Sequence, residues 1–191
     1  MTKSHGTHGK TFEKDFVSSL RSAGHWVERF RDNTWNNMQG SSASPPDAIG
    51  VVNKVPCLFE MKAVTTGTDG KGEPRGIMKA SISLKRCQGH QLERLLEFQQ
   101  AGHGKSFVVV MFYTPRAVRR CAVLVPVERW MAAKDLYGSG SVRLDALRRD
   151  LPASLHMKWV GRGQQVGPYQ ICSELGILPE HDITIIDKIG K

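Results

Sequence analysis

The sequence predicts an α/β fold in which a mixed central β-sheet is flanked by helices. Segments with apolar residues at three- and four-residue spacing occur along the chain between short apolar or alternating runs. Two of these runs, at 106–113 and 121–125, are almost entirely apolar, which is typical of strands buried on both faces. The chain has 191 residues, 40% of them hydrophobic, which is enough for a core without disulfides or a structural metal.

The first predicted helix covers residues 10–23 and ends at Gly24. Glu13 lies at the border of its buried stripe, because it shares a face with apolar residues one and two turns further on. Residues 1–9 are polar and contain glycine, so we interpret them as a flexible lead-in. The stripe that defines the helix recurs every four residues: Phe12, Phe16 and Leu20.

A short strand is predicted over residues 25–30, followed by a loop over residues 31–46 that is rich in Asn, Ser, Gly and Pro. Trp35 lies in this loop without periodic apolar neighbours. It either plugs the edge of the core or stays exposed and stacks on a nucleic-acid base.

The next two apolar runs predict a β-hairpin with a turn at residues 53–54. Glu60 and Lys62 share one face of its second strand, because side chains alternate along a strand. Asp47 follows a pair of prolines and opens the neighbouring strand. Two charges on an apolar strand are costly to bury unless they pair or hold a metal. The hairpin is therefore the candidate functional site.

Residues 65–81 are rich in Gly and Thr and predict a mobile loop. The loop either becomes ordered on a phosphate backbone or makes no contacts at all. Its basic residues, with one just beyond it, are Lys71, Arg75, Lys79 and Lys85.

A second helix is predicted over residues 83–100, with Gln88 and Gln91 on its inward or cleft-facing side. An amide beside charged groups can orient water or phosphate. After the two apolar strands, a third helix begins at Pro126 and is broken at Gly138.

We divide the chain into a core at residues 1–138 and a small C-terminal extension at 139–191, packed on or beside the core. The extension includes a possible helix at 143–151 and a possible strand at 183–186. Its GRGQQVG segment has too few glycines, in the wrong context, for a dinucleotide fingerprint, so no nucleotide cofactor is expected.

The formal net charge of +9 favours a polyanionic partner, and DNA is the partner we expect. The excess is localised, since residues 81–120 hold seven Lys or Arg against two Glu, whereas residues 161–191 hold three against four acidic residues. The alternative is a solvated basic face with no ligand. The candidate DNA contacts are Lys10, Trp35, Lys71, Arg75, Lys79, Lys85 and Arg86.

The four cysteines are far apart and form no CxxC pair, which indicates neither a zinc site nor a disulfide framework. A reducing, cytoplasmic setting fits this pattern. The N-terminus has no apolar signal core, and the longest apolar run is too short to cross a bilayer. We therefore expect a soluble protein with no membrane partner.

The candidate site has the composition of a phosphodiester-cleaving centre. Asp47 and Glu60 can bind a divalent cation such as Mg²⁺ through oxygen ligands, and Glu13 can complete the shell directly or through water. The cation would polarise a phosphate and acidify a bound water. Lys62 would orient or deprotonate that water and stabilise developing charge.

A family resemblance rests on these same residues. Pro46 and Asp47, followed thirteen positions later by Glu60-Met61-Lys62, resemble the PD-(D/E)xK nuclease signature. The segments GKTFEKDF at 9–16 and GHQLERLLEFQQAGHGKSFVVVMFY at 89–113 add to it. Together they resemble Holliday junction resolvases of the RecU type and, more distantly, of the archaeal Hjc type, over about residues 9–125.

The resemblance implies a restriction-endonuclease-like core and a homodimer that makes paired symmetric nicks in four-way DNA junctions with Mg²⁺ or Mn²⁺. It implies that Glu13, Asp47 and Glu60 are metal-site acids, that Lys62 is the catalytic lysine, and that Gln91 lies near the site. RecU-type enzymes carry a projecting stalk before the catalytic Asp. In its place this chain has only a short loop, at residues 33–45.

Two other readings of the sequence remain open. One keeps the nuclease fold and changes the substrate to duplexes, flaps or ends, as in restriction, repair or phage DNA processing. The other is a basic DNA-binding protein without catalysis, in which the charged residues form a structural ion-pair cluster. The excess of three acidic residues around a single Lys62 counts against the structural cluster.

Overall fold

The computed structural model describes residues 5–30, 45–67, 80–113, 120–138, 140–143, 155–159 and 169–171. Within these ranges the helices are α1 (His5–Ser22), α2 (Gly89–Gln100) and α3 (Val127–Tyr137). The strands are β1 (Trp26–Arg29), β2 (Ala48–Val52), β3 (Val55–Thr65), β4 (Ser81–Ser83), β5 (Lys105–Tyr113), β6 (Arg120–Pro126), β7 (Ser141–Arg143), β8 (Leu155–Trp159) and β9 (Tyr169–Ile171).

The described strands form one large mixed sheet and one small sheet. The large sheet has the order β1-β2-β3-β5-β6-β8-β9, and the small one pairs β4 with β7. Strands β3 and β5 run parallel, with α2 in the connection between them, and the other neighbours are antiparallel. This arrangement confirms the predicted mixed sheet flanked by helices. Strands β7, β8 and β9 lie beyond residue 138, so both sheets include parts of the expected C-terminal extension.

Strand β3 separates two hydrophobic clusters, one on each face of the sheet. Phe59 and Met61 face α1 and pack with its Phe16; the Phe16 and Phe59 ring centroids are 5.2 Å apart. Leu58, on the opposite face, belongs to the cluster that contains Leu92 of α2 together with α3 side chains. The predicted alternation along β3 is therefore confirmed, and Glu60 and Lys62 lie on the face covered by α2.

The predicted hairpin turn is confirmed. Val52 pairs with Val55, and the two residues between them, Asn53 and Lys54, have φ angles of 48° and 67°. Positive φ at both central residues is what a two-residue turn of type I′ requires, and this turn matches the twist of the flanking strands. The turn therefore sets the register that brings the start of β2 opposite the middle of β3.

The first two helices do not begin at the residues predicted from the sequence. Helix α1 begins at His5, so residues 5–9 of the expected lead-in are helical. The apolar stripe starts only at Phe12, and the polar first turns gave no periodic signal. Helix α2 begins at Gly89, because Ser83 pairs in β4 and a 3₁₀ turn at Leu84–Arg86 comes first. The possible strand at 183–186 lies outside the described residues.

Gly104, just before β5, is expected to be intolerant of substitution. Its φ is +147°, and a Cβ there would lie 2.0 Å from the carbonyl oxygen of Pro56. Gly104→Ala should lower the free energy of unfolding by about 3 kcal/mol, combining backbone strain with a backbone clash. Urea unfolding monitored by circular dichroism measures it. Gly102→Ala is the matched control, because Gly102 also has positive φ (+73°) but has nothing within 4 Å of a Cβ; equal losses would contradict the clash.

Candidate active site

Glu60 is the buried centre of the candidate site. It lies in the middle of β3 with only 2% of its side chain exposed. Its Oε1 accepts a hydrogen bond from Lys62 Nζ at 2.5 Å and another from Gln91 Nε2 at 2.7 Å. Lys62 Nζ also donates to Gln91 Oε1 at 3.3 Å. The structure thus brings three of the predicted site residues into one contiguous cluster.

Asp47 joins this cluster from the neighbouring strand. The β2–β3 register pairs Ala48 with Phe59, so Asp47 lies opposite Glu60 and on the same face of the sheet. The backbone carbonyl of Asp47 accepts a hydrogen bond from the Phe30 N–H at 3.0 Å, which extends the β1–β2 pairing by one residue. Its Oδ2 accepts from the Met61 N–H at 2.6 Å. Backbone geometry therefore fixes the position of this carboxylate.

Burial and mutual repulsion act on both carboxylates. Burial, and then the nearby Glu60, raise the pKa of Asp47 to about 7, although the Met61 N–H bond opposes the shift. Burial also raises the pKa of Glu60, and its attraction to Lys62 opposes that rise. The charge of Glu13 raises the pKa of both groups. The cluster therefore carries more negative charge than Lys62 alone neutralises.

Glu13 is held at the margin of the cluster by a residue that the sequence analysis missed. Its Oε2 accepts from Arg29 Nε at 2.5 Å, and both side chains are mostly buried. Arg29 lies on the same face of β1 as the buried Val27. An arginine on the buried face of a strand needs a carboxylate partner, so the position of Arg29 in the sequence already indicated that it pairs with an acidic residue. Arg29 positions Glu13 near Asp47 and Glu60.

The oxygen donors fit a hard divalent cation. Each carboxylate has one oxygen engaged, so Asp47 Oδ1 and Glu60 Oε2 accept no hydrogen bond from the described residues. Mg²⁺ is commonly held by one or two carboxylates together with water and substrate phosphate. Among the described residues, no three His, Cys, Asp or Glu side chains are grouped closely enough to hold a metal. Asp47 and Glu60 offer the unengaged oxygens, while Arg29 holds the Glu13 carboxylate at the margin of the cluster.

Three of the seven residues predicted to contact DNA lie within the described part of the chain. Lys10 on α1 and Lys85 in the 3₁₀ turn are exposed. Arg86 is also exposed and donates from its guanidinium to the Ala63 carbonyl at 2.5 Å, one residue beyond Lys62. This bond connects the 3₁₀ turn to the strand that carries the site. The others lie outside the described residues: Trp35, Lys71, Arg75 and Lys79.

Neutralising Asp47 should stabilise the cation-free protein. Folding raises the pKa of Asp47. Such an acid destabilises the folded protein increasingly as the pH rises from the ordinary pKa of the group to its raised pKa. Asp47→Asn keeps an acceptor for the Met61 N–H. In EDTA it should therefore raise the free energy of unfolding by about 1–2 kcal/mol at pH 8, with a smaller gain at pH 5. Thermal melts at the two pH values measure this difference, and Asp135→Asn, at an exposed position on α3, is the control. A gain independent of pH would contradict it.

Comparisons with known proteins find a distant likeness among solved structures. No family model matches the chain, and no curated protein matches it. Among solved structures, a similar one is Hjc, a Holliday junction resolvase from the archaeal hyperthermophile Archaeoglobus fulgidus. It is 19% identical over 63% of this chain and 78% of that chain, with a TM-score of 0.40. A TM-score of this size does not establish a common fold, so functional inference depends on the side chains of the site. No helix in the described residues is long and apolar enough to span a membrane.

Proposed function

We propose that this protein is a metal-dependent DNA endonuclease of the PD-(D/E)xK type. The observation that supports it best is the buried cluster in which Glu60 contacts Lys62 and Gln91 and lies opposite Asp47. Buried titratable groups whose environments perturb their pKa values are typical of catalytic sites. Two carboxylates and a lysine on adjacent strands are suited to hydrolysis of a phosphodiester.

Asp47 and Glu60 would hold the cation, Mg²⁺ or Mn²⁺, through their available oxygens. When bound, the cation supplies Lewis acidity toward a phosphate and toward water. Glu13 would contribute through water for as long as Arg29 retains its carboxylate. The raised pKa values of Asp47 and Glu60 indicate that both carboxylates would be stabilised by added positive charge.

Lys62 and Gln91 provide the other groups that act on the substrate side. The Lys62 side chain is 17% exposed, so it is partly accessible from solvent while its ammonium is bonded to Glu60. It would orient the attacking water and stabilise the charge that develops on the phosphate. Gln91 contacts Glu60 and Lys62 and therefore acts as a positioning residue.

The proposed substrate is the four-way DNA junction, cleaved by paired symmetric nicks. The net charge of +9 supports a DNA partner, and the exposed Lys10, Lys85 and Arg86 supply cations for phosphate contacts. Trp35, Lys71, Arg75 and Lys79 remain proposed contacts in the connecting segments. Two coordinated cuts across a two-fold substrate require two sites, so we propose a homodimer. Cys57 and Cys87 are free and buried, which supports a reducing, cytoplasmic setting.

One observation favours a second candidate, a basic DNA-binding protein without catalysis. Each of the three acidic residues already has a partner: Lys62 for Glu60, Arg29 for Glu13, and the Met61 N–H for Asp47. Such pairing is also what a purely structural ion-pair cluster would show. This reading predicts DNA binding that does not depend on Mg²⁺ and does not lead to strand cleavage.

A cleavage assay separates these possibilities. Purified protein is mixed with end-labelled immobile four-way junction, linear duplex or flap DNA, with Mg²⁺ or with EDTA, and products are mapped. Symmetric nicks confined to the junction and dependent on Mg²⁺ support the proposal. Equal cutting of linear duplex would contradict junction resolution. It would support another nuclease activity, such as restriction-like, repair or phage DNA processing. Binding without cutting of any substrate would support the second candidate. Light scattering against the 21.2 kDa chain mass tests the dimer.

A further inference from the structure

The start of α2 contains a bond that selects one orientation of the Gln91 amide. The backbone N–H of Gln88, the residue before the helix, donates to Gln91 Oε1 at 3.0 Å. Because an N–H can only donate, the oxygen of the amide must face Gln88 and Lys62, and the nitrogen must face Glu60. The observed bond from Gln91 Nε2 to Glu60 Oε1, at 2.7 Å, is the result.

We infer that the Gln88 N–H is a positioning group for the candidate site, acting through Gln91 on Glu60 and Lys62. With the amide in this orientation, Gln91 and Lys62 both donate to Glu60 Oε1, which leaves Oε2 to face a ligand. With the amide reversed, its oxygen would face a carboxylate oxygen and its nitrogen would face the Lys62 ammonium. Both contacts would then be repulsive.

The structure separates Gln88 and Gln91, which were both expected on the inward or cleft-facing side of the helix. The Gln88 side chain is exposed, and the bond from Gln88 to the Gln91 amide comes from its main chain. A backbone N–H at the start of a helix has no partner within the helix. It is therefore available to a side chain three residues further on, as in the second half of a capping box.

The geometry allows the removal of this one donor. Gln88 has φ −72° and ψ 158°, which proline adopts without strain. The preceding Cys87 is extended, with φ −92° and ψ 111°, as a residue before proline should be. Gln88→Pro thus deletes the N–H and leaves the backbone path unchanged. Gln88→Ala is the matched control, because it deletes the exposed side chain and keeps the N–H.

The inference rests on the proposed function only for its activity readout, so the first test is independent of cleavage. In a ¹H–¹⁵N correlation spectrum, the Gln91 side-chain amide is assigned by its loss in Gln91→Met. In wild type and Gln88→Ala, its two protons should be well separated in chemical shift and slow to exchange, because they are held against a carboxylate. In Gln88→Pro they should move toward the values of exposed glutamine amides. An unchanged amide signal in Gln88→Pro would overturn the inference even if the protein cleaves no DNA.

The second test is a double-mutant cycle on cleavage rate at saturating Mg²⁺ and DNA. Gln88→Pro should slow cleavage about tenfold with an unchanged DNA dissociation constant, whereas Gln88→Ala should be within about twofold of wild type. In the Gln91→Met background, Gln88→Pro should cause no further loss, because its effect passes through the missing amide. A loss of equal size in both backgrounds would show a general effect on the helix and overturn the inference. If wild type cleaves nothing, the proposed function fails, and the amide signal still decides this question.

Discussion

Glu60→Gln is expected to reduce DNA cleavage by at least about 10³-fold while DNA binding persists or tightens. The substitution is isosteric, and a glutamine oxygen can still accept from Lys62 and Gln91 at the positions now observed. The loss should therefore come from the missing negative charge that would hold a cation. Removing that charge also removes repulsion toward phosphate, which favours binding.

Single-turnover cleavage and fluorescence anisotropy measure the two effects of Glu60→Gln separately. Glu28→Gln is the matched control, because Glu28 is an exposed carboxylate on β1 that is paired with Arg21 outside the cluster. It should cleave at the wild-type rate. Loss of binding by folded Glu60→Gln protein would argue against this role, and so would cleavage within tenfold of wild type.

Lys62→Met is expected to affect both cleavage and stability, and the two effects should separate in a double variant. Loss of the ammonium should slow cleavage about 10²–10³-fold. It also leaves Glu60, which is 2% exposed, without its charged partner, so the free energy of unfolding at pH 8 should fall by about 3 kcal/mol. Adding Glu60→Gln removes the unpaired charge and should restore most of the stability while cleavage stays absent.

The pH dependence of the Lys62→Met variant provides a further check. Lys62 now opposes the rise in the pKa of Glu60. Without Lys62 that pKa rises further, so Glu60 takes up a proton in the folded state as pH falls, and the destabilisation should shrink toward pH 5. Urea unfolding at the two pH values measures this, with Lys14→Met on the exposed face of α1 as the control. A stability loss that persists in the double variant would mean that Lys62 contributes mainly through packing.

The hairpin of the site could be predicted from sequence because strand geometry is simple. A period of two placed Glu60 with Lys62, and a two-residue turn placed Asp47 on the neighbouring strand, where it lies opposite Glu60. The contact of Gln91 with Glu60 was harder to predict from the sequence, because it depends on how α2 crosses from β3 to the parallel β5. The partner of Glu13 could not be read from spacing, since Arg29 meets it only when α1 packs across β1.

Helix starts were the least predictable elements. In α2, the apolar residue Leu84 continues the helical spacing backward, yet Ser83 is paired with Ser141 in the small sheet. That pairing depends on a segment about sixty residues away, which no local pattern contains. The same tertiary contact moves the start of α2 to Gly89, two residues before Gln91, and so determines which backbone N–H lies beside the site.

The continuation of the large sheet beyond β6 limits how the chain can be shortened. β6 is an interior strand because β8 pairs with it, from Cys121 opposite Lys158 to Leu124 opposite Leu155. A fragment that stopped at residue 138 would leave an apolar strand with a full row of unpaired N–H and C=O groups. Such a strand is a template for intermolecular pairing and aggregation. A minimal fragment that carries the candidate site therefore has to extend at least through β8, even though the acidic cluster lies entirely within the first hundred residues.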